Sequence, residues 1–302
     1  MELSVDIGFG DTKYIIKNDE EQIKGKFPTA ITRVSIKVKD DKDVYKFRNG
    51  YYRIGYGAVE KAEATRNMKF LVRFAPLIVY HILKENNIKN LDELKIRSGI
   101  SLFYYEDYKE QFKEALKNIK VNDEEINTKV KLFAQGQGIL YDFLSINPEA
   151  ENLKSIVIVD IGYNTIDFLY LKNENGSFKP YKEECFGLPQ GAHIIVNLLK
   201  DYLQEEYKVN LTEQETNQIL RDGYFTFRGK KIDLTDVISD LKNEYTFKIL
   251  NLLENRTDLI DRADKIVFGG GGAYFLDKDE LPEHSFIVKE PEFSNVRGYL
   301  KK

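Results

Sequence analysis

The chain has 302 residues, 42% of them hydrophobic and 31% charged, with a formal net charge of −4, which allows two domains and a sizeable core and argues against direct, non-specific nucleic-acid binding. A single cysteine, Cys185, excludes a disulfide framework and a cysteine-based zinc site, and His81, His193 and His284 are too scattered for a His-rich metal site. The start, MELSVDIG, lacks the basic-then-apolar pattern of a leader and no run reaches membrane-spanning length, so a cytoplasmic protein without a membrane partner is expected.

Residues 2–7 and 12–17 predict two short strands around Gly8-Phe9-Gly10. Residues 28–57 read as a small inserted β-rich subdomain, with strand-like alternation at 34–38 and 51–54. A helix is expected over 75–86, with Pro76 in its first turn, and a strand over 96–102. Tyr105, Tyr108, Phe112, Leu116 and Ile119 recur at helical spacing and predict a helix over 105–119. A strand at 130–132 runs into AQGQG, a helix follows to Leu144, and Asn147-Pro148-Glu149 marks a domain boundary.

The second half begins with the apolar run 156–159, as in a strand buried on both faces, followed by Asp160, Gly162 and a second strand over 166–171. Gly191 opens a helical pattern through Ile194, Ile195, Leu198, Leu199 and Tyr202. Thr212-Glu213-Gln214-Glu215 has the form of a capping box, and 234–255 carries a longer helical pattern. The strand 265–268 runs straight into four glycines, 269–272.

VDIGFGDTK (5–13) and VDIGYNTID (159–167) are one pattern written twice, and their aspartates, Asp6 and Asp160, lie 154 residues apart, about half the chain. A repeat at that spacing suggests two similar halves facing one another. Each glycine permits a sharp turn that brings N–H groups to an anion. The two carboxylates at the strand ends suit a hydrated Mg2+, which takes few protein ligands, and Lys13 supplies a point charge to phosphate.

VDIGFGDTK, FAQGQG, VDIGYNTIDF and VFGGGGA, in that order, resemble the two phosphate motifs, the hinge and the adenosine motif of the actin superfold. With the ending PEFSNVRGY, the chain looks most like the ParM/StbA plasmid-segregation group of actin-like proteins, from about residue 3 to residue 299. The resemblance implies two α/β, ribonuclease H-like domains with a nucleotide cleft between them. These would be 1–150, with an inserted subdomain at about 28–68, and 151–302, with an insert at about 208–262. A last segment, about 284–302, would return to the first domain with Asn295, Arg297 and Tyr299.

It further implies a Mg-dependent ATPase that polymerises with ATP or GTP. Hydrolysis within the filament would drive plasmid segregation, with DNA reached through a DNA-bound adaptor. By position, Asp6 and Asp160 hold the water shell of the metal, and Gln135 orients the attacking water, completing the catalytic set. Gly8, Phe9, Gly10, Asp11, Thr12 and Lys13 wrap one side of the phosphates, and Gly162, Tyr163, Asn164 and Thr165 the other. Gly191 faces the nucleotide, and Gly269, Gly270, Gly271 and Gly272 approach the adenosine. Glu213 and Glu215 fall near the ribose or base, although the residues themselves favour helix capping. Tyr163 stands where many relatives have glycine, a costly exchange if the loop needs positive φ. Two other readings fit the same motifs: a small-molecule kinase of this superfold and a non-filamentous nucleotide-bound scaffold.

Overall fold

A computed structural model describes residues 1–18, 21–35, 41, 43–62, 67–89, 91 and 93–302. Three antiparallel strands open the chain: β1 (Glu2–Ile7), β2 (Asp11–Lys17) and β3 (Gln22–Pro28). A separate sheet follows, β4 (Ile31–Val34), β5 (Val44–Phe47) and β6 (Gly50–Ile54), in the order β4-β6-β5. The expected alternation at 34–38 therefore meets only the end of β4 at Val34, and residues 36–38 lie outside the described residues.

Helix α1 (Met68–Glu85) begins seven residues before the expected start. Asn67 caps it, its side chain accepting from the Lys69 N–H at 2.8 Å. Pro76 lies inside α1, buried, so it removes one helical hydrogen bond that a first-turn proline would not. Then come β7 (Lys95–Ile100) and α2 (Leu102–Lys117). The helix stops short of residue 119 because 118–121 turns back as a hairpin, β8 (Asn118–Val121) and β9 (Glu124–Asn127), through Asn122 and Asp123 at φ +52° and +63°. With β10 (Lys129–Ala134) the first sheet reads β10-β7-β1-β2-β3.

Helix α3 (Gln137–Ile146) leads to the second lobe. Its strands are β11 (Ser155–Ile161), β12 (Ile166–Glu174), β13 (Ser177–Pro180) and β14 (Phe186–Leu188). Next are α4 (His193–Tyr207), α5 (Glu213–Asp222), the hairpin β15 (Tyr224–Phe227) and β16 (Lys230–Asp233), and α6 (Thr235–Glu254). α7 (Leu259–Arg262), β17 (Lys265–Gly269), β18 (Ser285–Ile287) and α8 (Ser294–Tyr299) complete the chain. The second sheet reads β13-β12-β11-β17-β18, with β14 also on β12.

The two lobes repeat one scheme. β1 pairs antiparallel with β2 and parallel with β7, and β11 pairs antiparallel with β12 and parallel with β17. Both central strands are buried on both faces, which explains the continuous apolar run of β11; in β1 the alternating polar residues Ser4 and Asp6 are buried with hydrogen-bond partners instead.

α8 stands between the lobes rather than on the first alone. The Ser4 hydroxyl donates to the Val296 carbonyl at 2.7 Å, while the Asn295 amide donates to Asp160 at 2.5 Å. Arg297 forks onto Asp142 of α3 at 2.5 and 3.0 Å. α3 and α8 touch backbone to backbone: a Cβ on Gly298 would overlap the Gly138 carbonyl.

Candidate functional site

Asp6 and Asp160 occupy matching places on β1 and β11, and the hairpin register sets what each faces. Asp6 lies opposite Lys13, and Asp160 opposite Asp167. Directly opposed residues of an antiparallel pair point to the same face, so each acid and its partner share a surface. Both hairpins open on one pocket between the lobes. It brings together the expected Asp6, Gly8, Phe9, Gly10, Lys13, Gln135, Asp160, Gly162, Tyr163, Gly270 and Gly271, together with Asp167, the acid that closes the second motif, and adds Gly99 and Ser101. Its enclosed volume is about 50 Å3, below the roughly 150 Å3 that accommodates benzene. A nucleotide-sized ligand needs more room than the pocket has in this structure.

The acids are buried and held in place. Asp6 accepts from the Gln135 amide at 2.6 Å; burial pushes its carboxyl up, and Lys13 and Gln135 pull it back in part. Asp160 is pushed up to about 7, by burial first and then by the charge of Asp6, against the opposing pull of Asn295 and Lys13. Asp167 is raised well above the usual range by burial and by Asp160, although it accepts from the Ser101 hydroxyl and the Leu102 N–H, both at 2.7 Å. Three buried carboxyl groups against one lysine thus crowd the pocket with acids whose ionisation burial opposes.

Other expected residues stand just outside the lining. The Asp11 carboxylate lies 3.7 Å from Arg221, and its carbonyl accepts from Lys13 Nζ at 3.0 Å. The Thr12 hydroxyl pairs with Thr29 at 2.9 Å. Thr165 closes the second turn, its carbonyl accepting from the Gly162 N–H at 2.8 Å, with Asn164 in the same turn. Gly191 packs so closely that a Cβ would overlap the Gly162 carbonyl. The N–H groups of Ala192 and His193 donate to the Gly162 and Tyr163 carbonyls, and His193 Nδ1 lies 3.0 Å from the latter. The start of α4 thus buttresses the second loop.

Tyr163 has no positive φ, so the larger residue is accommodated without backbone strain. Its hydroxyl donates to Glu213 at 2.9 Å, and its ring lies against Gly10 of the first hairpin. Of the four glycines, Gly270 combines φ +78° with a Cβ position that would overlap Asp160 Oδ1. Gly269 and Gly272 are packed against Ile139 and Ile161. Gly271 has open space instead, its Cβ position meeting only Glu292 at 3.9 Å.

Glu215 completes a capping box with Thr212, accepting from its N–H at 2.8 Å and its hydroxyl at 2.7 Å. Thr212→Ala is expected to cost about 1 kcal/mol in denaturant unfolding and to leave nucleotide affinity unchanged. A loss of affinity in Glu215→Gln beyond that of Thr212→Ala would give Glu215 a ligand contact as well.

Sequence reasoning did not place Asn295 at the site, where it fixes Asp160 and also accepts from the Gly136 N–H at 3.2 Å. No local pattern marks a partner 135 residues distant. Ser101 was findable: a serine between a strand and a helical run is an N-cap signal, and its side chain accepts from the Phe103 N–H at 3.2 Å. Away from the pocket, Asp43, His81 and Glu85 gather their ligand atoms within 4.8 Å. His81 Nδ1 is already engaged with the Tyr45 hydroxyl at 2.9 Å, and burial lowers the ring to about 4, so this is a packed neutral histidine. Cys185 is half-buried, its thiol facing the Tyr181 carbonyl at 3.3 Å and pushed up by burial. No helix among the described residues is long and apolar enough to cross a membrane.

Two lobes of repeated topology, each bringing an acid-bearing hairpin to a shared pocket, are matched by known families. Residues 4–138 match the family described as actin like proteins N terminal domain, and residues 158–283 the archaeal actin homologue MreB-like, C-terminal family. Among solved structures, the archaeal actin homologue Ta0583 aligns with a TM-score of 0.79 and 21% identity, over 99% of this chain and 97% of that one. Its ADP complex aligns at 0.73 and 20% over the same shares. A subunit of a 15-stranded ParM filament from Clostridium botulinum aligns at 0.74 and 20%, over 99% and 97%. No curated protein matches the sequence. The chain has the actin/ParM-like superfamily fold.

Proposed function

We propose that this chain is an actin-like ATPase. It would bind a Mg2+–nucleoside triphosphate between two ribonuclease H-like domains, 1–150 and 151–302, assemble into filaments in that state, and hydrolyse the nucleotide. The observation that carries this reading is the convergence of Asp6, Asp160, Lys13 and Gln135, from duplicated hairpins and the hinge, on one pocket. The residues fit the group: Asp6 and Asp160 are both buried acids, and the charge of Asp6 raises Asp160, a cost that a divalent cation relieves. The pocket wall at Gly271 is bare of side chain.

In this reading Asp6 and Asp160 hold the water shell of Mg2+, whose charge, when bound, offsets that developing on the transferred phosphoryl group. Lys13 contacts the β- and γ-phosphates. Backbone N–H groups of Gly8 to Thr12 and of Gly162 to Thr165 close on the phosphates from the two sides. Gly191 supports the second loop, and Gly271 leaves room for the nucleoside beside Gly269, Gly270 and Gly272; Glu215 serves the ribose side only if its cap opens. Gln135, tied to Asp6 through its amide, orients the attacking water. A neutral amide positions water but takes its proton poorly, so turnover is slow.

ATP is the favoured nucleotide, with GTP as the alternative. The ADP complex of the archaeal homologue and the ParM filament support nucleotide binding and self-assembly here. The finer role is plasmid segregation in the cytoplasm, with DNA reached through a bound adaptor, in keeping with the acidic charge.

The test is light scattering on adding Mg-ATP, with phosphate release followed in the same sample and Asp160→Ala as control. Scattering that rises and then decays as phosphate appears, with the decay lost in the control, supports a dynamic filament. Nucleotide binding without assembly would overturn the filament reading and favour the scaffold. Phosphorylation of a sugar, acetate or pantothenate would favour the kinase. Gln135→Ala is expected to lower kcat about a hundredfold with nucleotide affinity within a few-fold. An equal fall in affinity would instead give Gln135 a role in binding.

A further inference from the structure

Helix α8 places one phenol where packing alone does not explain its oxygen. Tyr299 is fully buried and its ring stacks on Phe133 at 4.8 Å and 7°. Beside it, Gly138 leaves room for the ring edge. The hydroxyl occupies the space that a Cβ on Gly99 would fill. Gly99 has no positive φ, so the backbone does not require glycine there; the hydroxyl does.

Gly99 lines the inter-lobe pocket, and Gln135 Cγ approaches the same space, 3.3 Å from that Cβ position. The missing side chain at the end of β7 therefore lets Tyr299 Oη lie directly behind Gly99, one residue's thickness from the pocket. Among the described residues the hydroxyl has no hydrogen-bond partner. Burial and then the charges of Asp6, Asp160 and Asp167 push its ionisation far up, so it remains a donor. An unpaired buried hydroxyl costs roughly 1–3 kcal/mol, and phenylalanine would stack on Phe133 as well. A hydroxyl under that penalty beside a pocket calls for an explanation, and an ordered water is one.

We infer that Tyr299 is a positioning residue, its hydroxyl donating to a water that it anchors beneath Gln135 and so fixing the amide that orients the attacking water. The inference rests on the proposed hydrolysis. It also gives α8 two roles, since Asn295 holds Asp160 at one end of the helix and Tyr299 serves Gln135 at the other.

The test is Tyr299→Phe in the full chain, with melting temperature measured without nucleotide and KM and kcat measured for Mg-ATP-dependent phosphate release. The expected result is a melting temperature equal to or above wild type, KM within about twofold and kcat lowered about tenfold. A kcat within about twofold of wild type would overturn the inference, because the hydroxyl would then be a packing remnant. A fall in melting temperature, with KM and kcat worsening together, would overturn it in favour of a structural role. Wild-type protein that releases no phosphate would overturn the proposed function and this inference with it. An active wild type with an equally active variant overturns this inference alone.

Discussion

Asp160→Asn is expected to raise the melting temperature of the nucleotide-free protein and to abolish Mg2+-dependent phosphate release. Asp160 titrates at about 7 in the folded chain, against an ordinary carboxylate value of 3.8, because it is buried beside Asp6. Between those pH values the folded state holds a proton that the unfolded state releases. Stability from this group is therefore greatest below about pH 4 and falls as pH rises towards 7. Above pH 7 the ionised acid costs the fold on the order of 2–4 kcal/mol, which a neutral asparagine removes. The variant is then expected to melt at least about 3 °C higher at pH 8, with little gain at pH 4. Thermal scans at both pH values check this, and a variant less stable at pH 8 would contradict the assigned burial. The same substitution removes a negative charge from the proposed metal site, so stability and activity move in opposite directions, as at strained functional sites.

Gly298→Ala is expected to destabilise the protein by about 3 kcal/mol or more. Its added methyl would overlap the Gly138 carbonyl, and backbone cannot rotate away as a side chain can. Forcing α8 from α3 also withdraws Asn295 from Asp160 and Val296 from Ser4. Denaturant unfolding measures the loss. Gly271→Ala is the control, with open space for its methyl and an expected change within about 0.5 kcal/mol. Equal, small effects at both positions would show that α3 and α8 yield more easily than their backbone contact implies.

The parts of this fold that were legible in sequence are those whose physics is local. The run 156–159 and the glycine that follows define β11 and its turn, and the repeat gives away the second hairpin from the first. The Thr212 capping box is formed as its four residues indicate. Pro76 misled because its first-turn preference is statistical, whereas Asn67 and the buried face of α1 carry the helix past it. The β8–β9 turn was missed because Asn122 and Asp123 both take positive φ without the glycine that usually announces such a turn. At the site, the residues on the two hairpins were readable by pattern. Asn295, Ser101 and Tyr299 reach it only through the packing of α8 and α2, and a contact across 135 residues leaves no periodicity to find.

The register of the two hairpins has a consequence for direction. In the first copy the acid stands opposite a lysine, whose charge partly offsets the cost of burying it; in the second the acid stands opposite another acid. The two copies therefore share a backbone pattern and differ in the charge type set opposite the common aspartate. A ligand between the lobes meets an acid beside a lysine on one side and two neighbouring carboxyl groups, both raised by burial, on the other. A molecule with unlike ends lowers its energy in one orientation and raises it when turned end for end. A chain that had kept both copies identical would hold such a molecule either way round. The difference between Lys13 and Asp167 gives the pocket a front and a back.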